Sequence, residues 1–173
     1  NQFNYIRSKK SFGENKIEIP KSWFNKIQTN AHLNTFPNVQ KKAITLVNTN
    51  LRIIPTNKPI FEEFTDDSNG FPFDNNQNST VLANTPIFIT HITKDKSWVY
   101  AETAFASGWI KTRDIAYTGP TFIKKFKDHK TLIAITNDEF PVRSFSGRYL
   151  FDGYIGMIFP LLKENKKNYH IIT

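Results

Sequence analysis

Leu51-Arg52-Ile53-Ile54-Pro55-Thr56 opens the stretch of sequence that decides the fold, which continues to Ala116. Within it, residues 85–92 and 97–103 are rich in β-branched and aromatic side chains, and Lys94-Asp95-Lys96 separates the two runs. Gly108-Trp109-Ile110 begins a further short run of the same kind. Such runs, broken by turn residues, are typical of strands. Their order of strand, long loop, hairpin and short strand predicts a small, strongly bent β-barrel.

The segment from residue 56 to residue 80 is predicted to be a long loop, because it is rich in Asn, Asp and Gly. A loop of this length inside a compact domain is uncommon and often functional. The carboxylates on or beside it are Glu62, Glu63, Asp66, Asp67 and Asp74, and the aromatic side chains expected near them include Phe71, Phe73, Trp98 and Trp109. Carboxylates beside aromatic faces suit a small cation such as a free amino terminus. A hydrated acidic loop beside core aromatic residues is the alternative interpretation.

Asp74 differs from the other carboxylates, because it lies between Phe73 and an Asn-Asn-Gln turn. An Asp in such a turn can accept hydrogen bonds from backbone N–H groups. A structural role for Asp74 is therefore favoured over contact with a ligand, although both stay open. Trp109 is predicted to fill the core beside Gly108, and Trp98 is predicted to be at least partly buried.

The remaining sequence predicts three parts. Residues 1–42 form a polar extension with one helix after Pro20, in which Trp23, Phe24 and Ile27 share one face and pack against a barrel. Residues 43–118 form a first barrel. A boundary follows at Gly119-Pro120, and residues 119–173 form a second, smaller barrel. The predicted fold is mostly β, with two small barrels in tandem and a short N-terminal helical extension.

Charge is distributed unevenly along the chain. The net charge is +8, yet residues 49–118 hold six basic and eight acidic side chains between two basic flanks. A nucleic-acid-binding domain places its positive field on its best-formed surface. The central module would instead repel phosphate, so no nucleic-acid partner is expected. No apolar run approaches the ~20 residues needed to span a bilayer, so no membrane span is predicted.

Catalytic and metal-binding patterns are absent from the sequence. There is no cysteine, which excludes a Cys nucleophile and thiolate metal ligands within these residues. The histidines, His32, His91, His129 and His170, stand far apart with no carboxylate at metal-ligand spacing. His91 lies in an apolar run and is predicted to be a core or sheet-face residue. The chain itself is therefore predicted to have no catalytic residues, no metal site, no cofactor and no enzymatic activity.

Four motifs resemble the first bacterial SH3-like (SH3b) domain of NlpC-type cell-wall cysteine peptidases. They are "LRIIPT" (51–56), "GFPFDNNQ" (70–77), "HITKDKSWVYAE" (91–102) and "GWIKTRDIA" (108–116). Two further motifs, "FIKKF" (122–126) and "IGMIFPLL" (155–162), resemble the second SH3b domain. The segment "GENKIEIPKSWFNKI" (13–27) resembles the end of the N-terminal stabilising segment of these proteins. The papain-like catalytic domain of the family has no matching segment in this sequence.

The resemblance implies two SH3-like barrels that serve a papain-like catalytic domain in the same or another chain. In this family the peptidase cuts cell-wall peptides after D-glutamate, and the first SH3b domain helps to select a free N-terminal L-alanine. The implied partners are thus peptidoglycan stem peptides, and the implied location is the periplasm or cell envelope, after export. The residues on which substrate contact would fall are Phe73, Asp74, Gln77, Asp95 and Trp98. The alternative is a free-standing module that binds peptidoglycan or a protein partner with no peptidase attached, since a fold does not determine a function.

Overall fold

The computed structural model describes residues 2–64, 70–166 and 168–173, apart from the side chains of Gln2 and Arg7. Its α-helices are α1 (Gln2–Ser8), α2 (Lys21–Ala31) and α3 (Pro120–Asp128), and short 3₁₀ turns lie at Leu33–Thr35 and Thr112–Asp114. The strands are β1 (Lys41–Thr45), β2 (Thr49–Arg52), β3 (Gln77–Val81), β4 (Pro86–Ile92), β5 (Trp98–Glu102), β6 (Ser107–Lys111), β7 (Ile115–Tyr117), β8 (Leu132–Ala134), β9 (Phe140–Arg143), β10 (Tyr149–Gly153), β11 (Ile158–Glu164) and β12 (Tyr169–Ile171). This mostly β architecture confirms the predicted fold class.

The chain folds into two compact units whose segments alternate along the sequence. Unit 1 consists of Asn1–Gln40, Asn50–Thr80 and Phe88–Arg113, and unit 2 consists of Lys41–Thr49, Val81–Ile87 and Asp114–Thr173. Two short segments of the first predicted barrel therefore group with the second half of the chain. The predicted domain limits at residues 42 and 118 stay a prediction.

The strands of unit 1 follow the order β3-β2-β6-β5-β4. The β4–β5 hairpin is the pair predicted from the two apolar runs, and β5 continues antiparallel to β6 with Tyr100 opposite Trp109. Gly108 allows β6 to approach β2 closely. A Cβ atom on Gly108 would lie 2.7 Å from the carbonyl oxygen of Arg52 and 2.9 Å from Leu51 Cγ.

The core of unit 1 joins the sheet to both N-terminal helices. It consists of Phe3, Ile6, Phe24, Ala31, Ile54, Ile60, Trp98 and Trp109. Trp109 is 2% exposed and Trp98 is 8% exposed, which confirms that Trp109 is a core residue and that Trp98 is at least partly buried. Trp23 and Ile27 pack against the same core, so the predicted apolar face of the helix after Pro20 is also confirmed.

Unit 2 contains three small groups of strands. In it β1 pairs with β7, β9 pairs with β10, and β11 lies between β8 and β12, all antiparallel. Its core consists of Ala83, Val142, Phe151, Met157 and Phe159. The strands predicted around residues 130–136, 140–142, 148–150, 156–162 and 169–172 correspond to β8, β9, β10, β11 and β12.

Four features differ from the sequence-based expectation. The last residues of the predicted long loop, from Gln77 onward, form a strand, β3. The N-terminal extension has a second helix, α1, whose residues Phe3 and Ile6 are buried. The segment that begins at Gly119-Pro120 is a helix, α3, because Pro is favoured in the first turn of a helix as well as at boundaries. The described strands form open sheets rather than closed barrels.

Candidate functional site

Arg52 ends β2 and is buried, with 3% of its surface exposed. Its guanidinium donates to the backbone carbonyls of residues 56–58 and to Oε1 of Gln77 at 2.6 Å. Its Nη1 also lies 2.7 Å from Oδ2 of Asp74, in an ion pair. A guanidinium carries five N–H donors, and these five oxygens can satisfy all of them. A charge that is fully paired in this way can be buried.

Asp74 is held on both of its carboxylate oxygens. While Oδ2 pairs with Arg52, Oδ1 accepts hydrogen bonds from the backbone N–H groups of Ile60, at 2.9 Å, and Asn76, at 2.8 Å. The expected capping of backbone N–H groups by Asp74 is therefore present. This carboxylate joins the start of the long loop, at Ile60, to its end.

Asn76 and Gln77 extend the same network. Asn76 is fully buried, accepts a hydrogen bond from the backbone N–H of Ile54 at 2.8 Å and donates to the carbonyl of Thr56 at 3.0 Å. Gln77 accepts from Arg52 through Oε1 and donates through Nε2 to the carbonyl of Ser79 at 2.5 Å. The polar atoms of both side chains are thus engaged inside unit 1.

Phe73 presents an open aromatic surface next to this network, with 63% of the residue exposed. Phe71 is also exposed, but its ring packs on Phe61 at 5.5 Å and stacks on Phe64 at 5.7 Å between centroids. Phe73 is the predicted site residue that offers the largest free apolar face. Arg52 and Asp74 fix the backbone on which Phe73 stands, because Asp74 follows it directly.

Asp95 and Trp98 stand at the tip of the β4–β5 hairpin. The exposed carboxylate of Asp95 accepts hydrogen bonds from Thr93 Oγ1 at 2.6 Å and from the backbone N–H and hydroxyl of Ser97, and its own N–H donates to Asn30. Partial desolvation raises the pKa of Asp95, but the hydrogen bonds from Thr93 and Ser97 outweigh it, so the pKa lies below its ordinary value. Asp95 is therefore a fixed anion at the surface, while Trp98 anchors the hairpin in the core.

The predicted site residues fall into two groups. Phe73, Asp74 and Gln77 belong to the network around Arg52, whereas Asp95 and Trp98 belong to the hairpin tip. In the described part of the chain, no hydrogen bond or ion pair joins the two groups.

The acidic loop itself is only partly described. Glu62 pairs with Lys9 at 2.6 Å, and Glu63 is exposed. Asp66 and Asp67 lie outside the described residues. Among the residues that are described, no group of three His, Asp or Glu side chains is placed to hold a metal ion. Nor is any helix in this part of the chain long and apolar enough to cross a membrane.

Sequence reasoning missed the central residue of the network, Arg52. The one available signal was the position of an Arg inside the apolar run Leu51-Arg52-Ile53-Ile54. A charged side chain in such a run is either exposed or paired, and only the carbonyls of residues 56–58 and the side chains of Asp74 and Gln77 show that it is paired. Motifs "LRIIPT" and "GFPFDNNQ" are therefore two halves of one hydrogen-bonded structure.

His91 is fully buried, which confirms its prediction as a core residue. Its Nε2 lies 2.8 Å from the carbonyl oxygen of Ala31, and its ring packs edge-on against Trp109 at 5.9 Å. Burial is the largest influence on the pKa of His91 and holds it below the ordinary value. His91 is thus a neutral packing residue that ties β4 to the end of α2.

The chain was compared with models of protein families, with curated proteins and with solved structures. Residues 59–111 match the family model of the SH3 domain of SH3b1 type, and residues 122–166 match that of the SH3 domain of SH3b2 type. Among solved structures, an NlpC/P60 endopeptidase from Photobacterium damselae subsp. piscicida is similar, with 27% sequence identity and a TM-score of 0.82. The similarity covers 98% of this chain and 37% of that chain. None of the curated proteins matches the sequence.

The two matched ranges include Phe73, Asp74, Gln77, Asp95 and Trp98 in the first model and most of unit 2 in the second. The chain therefore carries two bacterial SH3 domains in tandem, of SH3b1 and SH3b2 type, and resembles the SH3b region of NlpC-family endopeptidases.

Proposed function

We propose that the chain is the non-catalytic SH3b region of a bacterial cell-envelope peptidoglycan peptidase, and that it gates or targets cell-wall peptides for a papain-like catalytic domain. The observation that carries this proposal is the pair of SH3b matches in a chain that is similar over 98% of its length to part of an NlpC/P60 endopeptidase. The absence of cysteine within these residues agrees with an accessory role. Under this proposal the protein acts in the periplasm or at the cell envelope after export.

The proposed ligand is the amino terminus of a stem peptide that begins with L-alanine. Its ammonium group is a compact cation, which suits a carboxylate and an aromatic face. Asp95 supports this role, because its lowered pKa keeps it ionised and its side chain is exposed. Phe73 supports it through its open ring.

In this proposal, Asp74, Gln77 and Trp98 do not contact the peptide but hold the residues that do. Asp74 and Gln77 are engaged with Arg52, so they hold the turn that presents Phe73. Trp98 is buried and holds the hairpin that presents Asp95. A carboxylate that is already paired with a guanidinium and two backbone N–H groups has little capacity left for a ligand cation.

An NMR titration with L-Ala-D-Glu peptide tests the proposal. We expect weak binding, of about millimolar affinity or about −4 kcal/mol, with shifts confined to amides of residues 70–77 and 93–98. N-acetylation removes the positive charge and should abolish these shifts. Asp95→Asn should weaken binding because it removes the anion but keeps an acceptor for Ser97.

Glu102→Gln is the matched control, since Glu102 is an exposed carboxylate at the far end of β5. It should leave the titration unchanged. If the acetylated peptide binds equally well, or if the shifts appear only in unit 2, recognition of the amine is wrong. A phosphate- or glycan-binding role would then be favoured.

A further inference from the structure

A cavity of about 170 Å³ lies in unit 1 between α1 and the segments around Ile53 and Ile60. An engineered cavity of about 150 Å³ in another protein binds benzene. The volume here therefore takes an apolar group of roughly six non-hydrogen atoms by the same comparison. None of the five residues of the proposed peptide site lines this cavity.

The inner wall of the cavity is apolar. Ile6 and Ile60 are buried, and Ile53 is half-buried beside them. Transfer of an apolar group from water into the space between these three side chains is favourable. The buried Ser11 also lines the cavity and is its one buried polar residue. The inner part of the cavity thus selects for a hydrocarbon side chain.

The rim of the cavity carries one charge of each sign. Lys9 Nζ lies 2.6 Å from Glu62 Oε1, and the same ammonium lies 4.7 Å from the centroid of the Tyr5 ring. Hydrogen bonds with Glu62 and Tyr5 raise the pKa of Lys9, so the side chain is charged at neutral pH. Both members of the pair are partly exposed. Exposed ion pairs contribute little to stability, so this pair can open at low cost.

Asn75 supplies a further polar group at the cavity, beside the hydroxyl groups of Tyr5 and Ser11. Its backbone N–H donates to the carbonyl of Ile60 at 2.8 Å, which fixes the residue against the apolar wall. Its side-chain amide makes no hydrogen bond within the described residues. The cavity therefore combines three Ile side chains with a cation, an anion, an uncommitted amide and the buried hydroxyl of Ser11.

We propose that this cavity binds a free amino acid with an apolar side chain of leucine or phenylalanine size. The side chain enters between Ile6, Ile53 and Ile60, the ligand carboxylate pairs with Lys9, and the ligand ammonium pairs with Glu62. A ligand with both charges replaces the Lys9–Glu62 pair with two new pairs, whereas a ligand with one charge leaves one rim residue without its partner. This amino-acid site goes beyond the proposed function. It does not depend on recognition of a stem peptide, and its absence would not contradict that recognition.

Titration with L-leucine, isocaproate and isopentylamine, followed by NMR, tests the site in the full chain. L-Leucine should shift the amides of Ile6, Lys9, Ile53 and Asn75. Isocaproate lacks the ammonium and isopentylamine lacks the carboxylate. Each should therefore bind at least about tenfold more weakly than L-leucine, because each loses one charge-assisted hydrogen bond. Lys9→Gln and Glu62→Gln should each weaken L-leucine binding by about tenfold for the same reason.

Lys10→Gln and Glu18→Gln provide matched controls. Lys10 and Glu18 form a similar exposed ion pair, at 3.5 Å, that does not line the cavity. These variants should bind L-leucine as the unaltered chain does. The proposal is overturned if L-leucine shifts no amide at the cavity, if either single-charge analogue binds as tightly, or if the control variants weaken binding as much as Lys9→Gln does.

Discussion

Arg52 shows how one residue can organise two distant motifs. It lies in the first motif, and its guanidinium reaches Asp74 and Gln77 in the second. Asp74 then binds two backbone N–H groups, so the ion pair also fixes the main chain at Ile60 and Asn76. An ion pair of this kind is weak evidence for extra stability, but loss of Arg52 would leave Asp74 with two backbone N–H groups and no cation.

We expect Arg52→Leu to destabilise unit 1 by about 3 kcal/mol, because the half-buried Asp74 would lose its cation and the oxygens now bound by the guanidinium would lose their donor. Urea denaturation monitored by Trp fluorescence measures this loss. Arg148→Leu is the control, since Arg148 is exposed in unit 2 and should change stability by less than ~0.5 kcal/mol. Equal effects of the two substitutions would show that the network around Arg52 does not hold the loop.

His91 predicts a specific pH dependence of stability. Its pKa is lowered in the folded chain, mainly by burial, so on acidification the unfolded chain takes up this proton first, near the ordinary pKa of 6.5. Stability should therefore fall as pH decreases below that value and should stop falling once the folded-state pKa is passed. His91→Gln should remove this part of the pH dependence, because Gln keeps a donor for the carbonyl of Ala31 but does not titrate.

Urea unfolding between pH ~7.5 and ~5.5 measures the effect of His91→Gln. His170→Gln, in unit 2, is the comparison and should leave the pH dependence in place. A His91→Gln variant that loses stability with acid as steeply as the unaltered chain would assign the dependence to other groups.

At the level of elements, the strands were the predictable part. The alternating and apolar runs identified the β4–β5 hairpin and β6, and a helix after Pro20 was expected from Trp23, Phe24 and Ile27. Helix α1 was missed because seven residues with only Phe3 and Ile6 as an apolar pair are too short to be stable alone, and packing decides their state. Helix α3 was missed because Gly119-Pro120 is typical of a domain boundary. Phe122, Ile123 and Phe126 nevertheless repeat the spacing of apolar residues in α2.

The site was less predictable than the fold. The structure shows that Phe73 and Asp95, which were selected from motifs, are exposed, and their role in binding stays a prediction. The capping of backbone N–H groups by Asp74 was expected, but the ion pair of Asp74 and the hydrogen bond accepted by Gln77 involve Arg52, which lies 22 and 25 residues away in sequence. The pattern of a single sequence does not show which side chains contact each other across such a loop. The network was therefore found only in the three-dimensional structure.

The contact between β2 and β6 gives a prediction at this scale. We expect Gly108→Ala to destabilise unit 1 by about 1–3 kcal/mol, because the added methyl group meets the Arg52 carbonyl and Leu51 and must push the strands apart. Gly119→Ala is the control, since a Cβ there meets nothing within 4 Å. Thermal unfolding of both variants measures the difference, and an unchanged melting temperature for Gly108→Ala would contradict the close approach.

Among the described residues, unit 1 exposes several large apolar side chains, and more are exposed in unit 2. Its exposed large side chains include Leu132, Phe140, Phe145, Ile155, Ile158, Leu162 and Tyr169. Leu132 and Ile158 lie on one face of the β8–β11 pair, because Leu132 is opposite Pro160 and Ile158 is opposite Ala134. In the function proposed above, this face is available to the papain-like domain, while the exposed ring of Phe73 and the carboxylate of Asp95 in unit 1 meet the peptide.

This division of roles predicts how the chain affects the cleavage of muropeptides. Alone, it should release no fragments from muropeptides, because it has no Cys nucleophile. Added to an NlpC papain-like domain, it should raise cleavage of peptides with a free N-terminal L-alanine more than cleavage of their N-acetylated forms.

Phe73→Ala should remove this preference, whereas Phe105→Ala should not, since Phe105 is an equally exposed Phe of unit 1 outside the predicted site. Mass spectrometry of the fragments measures both rates. Equal stimulation of free and acetylated peptides would contradict gating by the SH3b1 domain, and cleavage by the chain alone would contradict its accessory role.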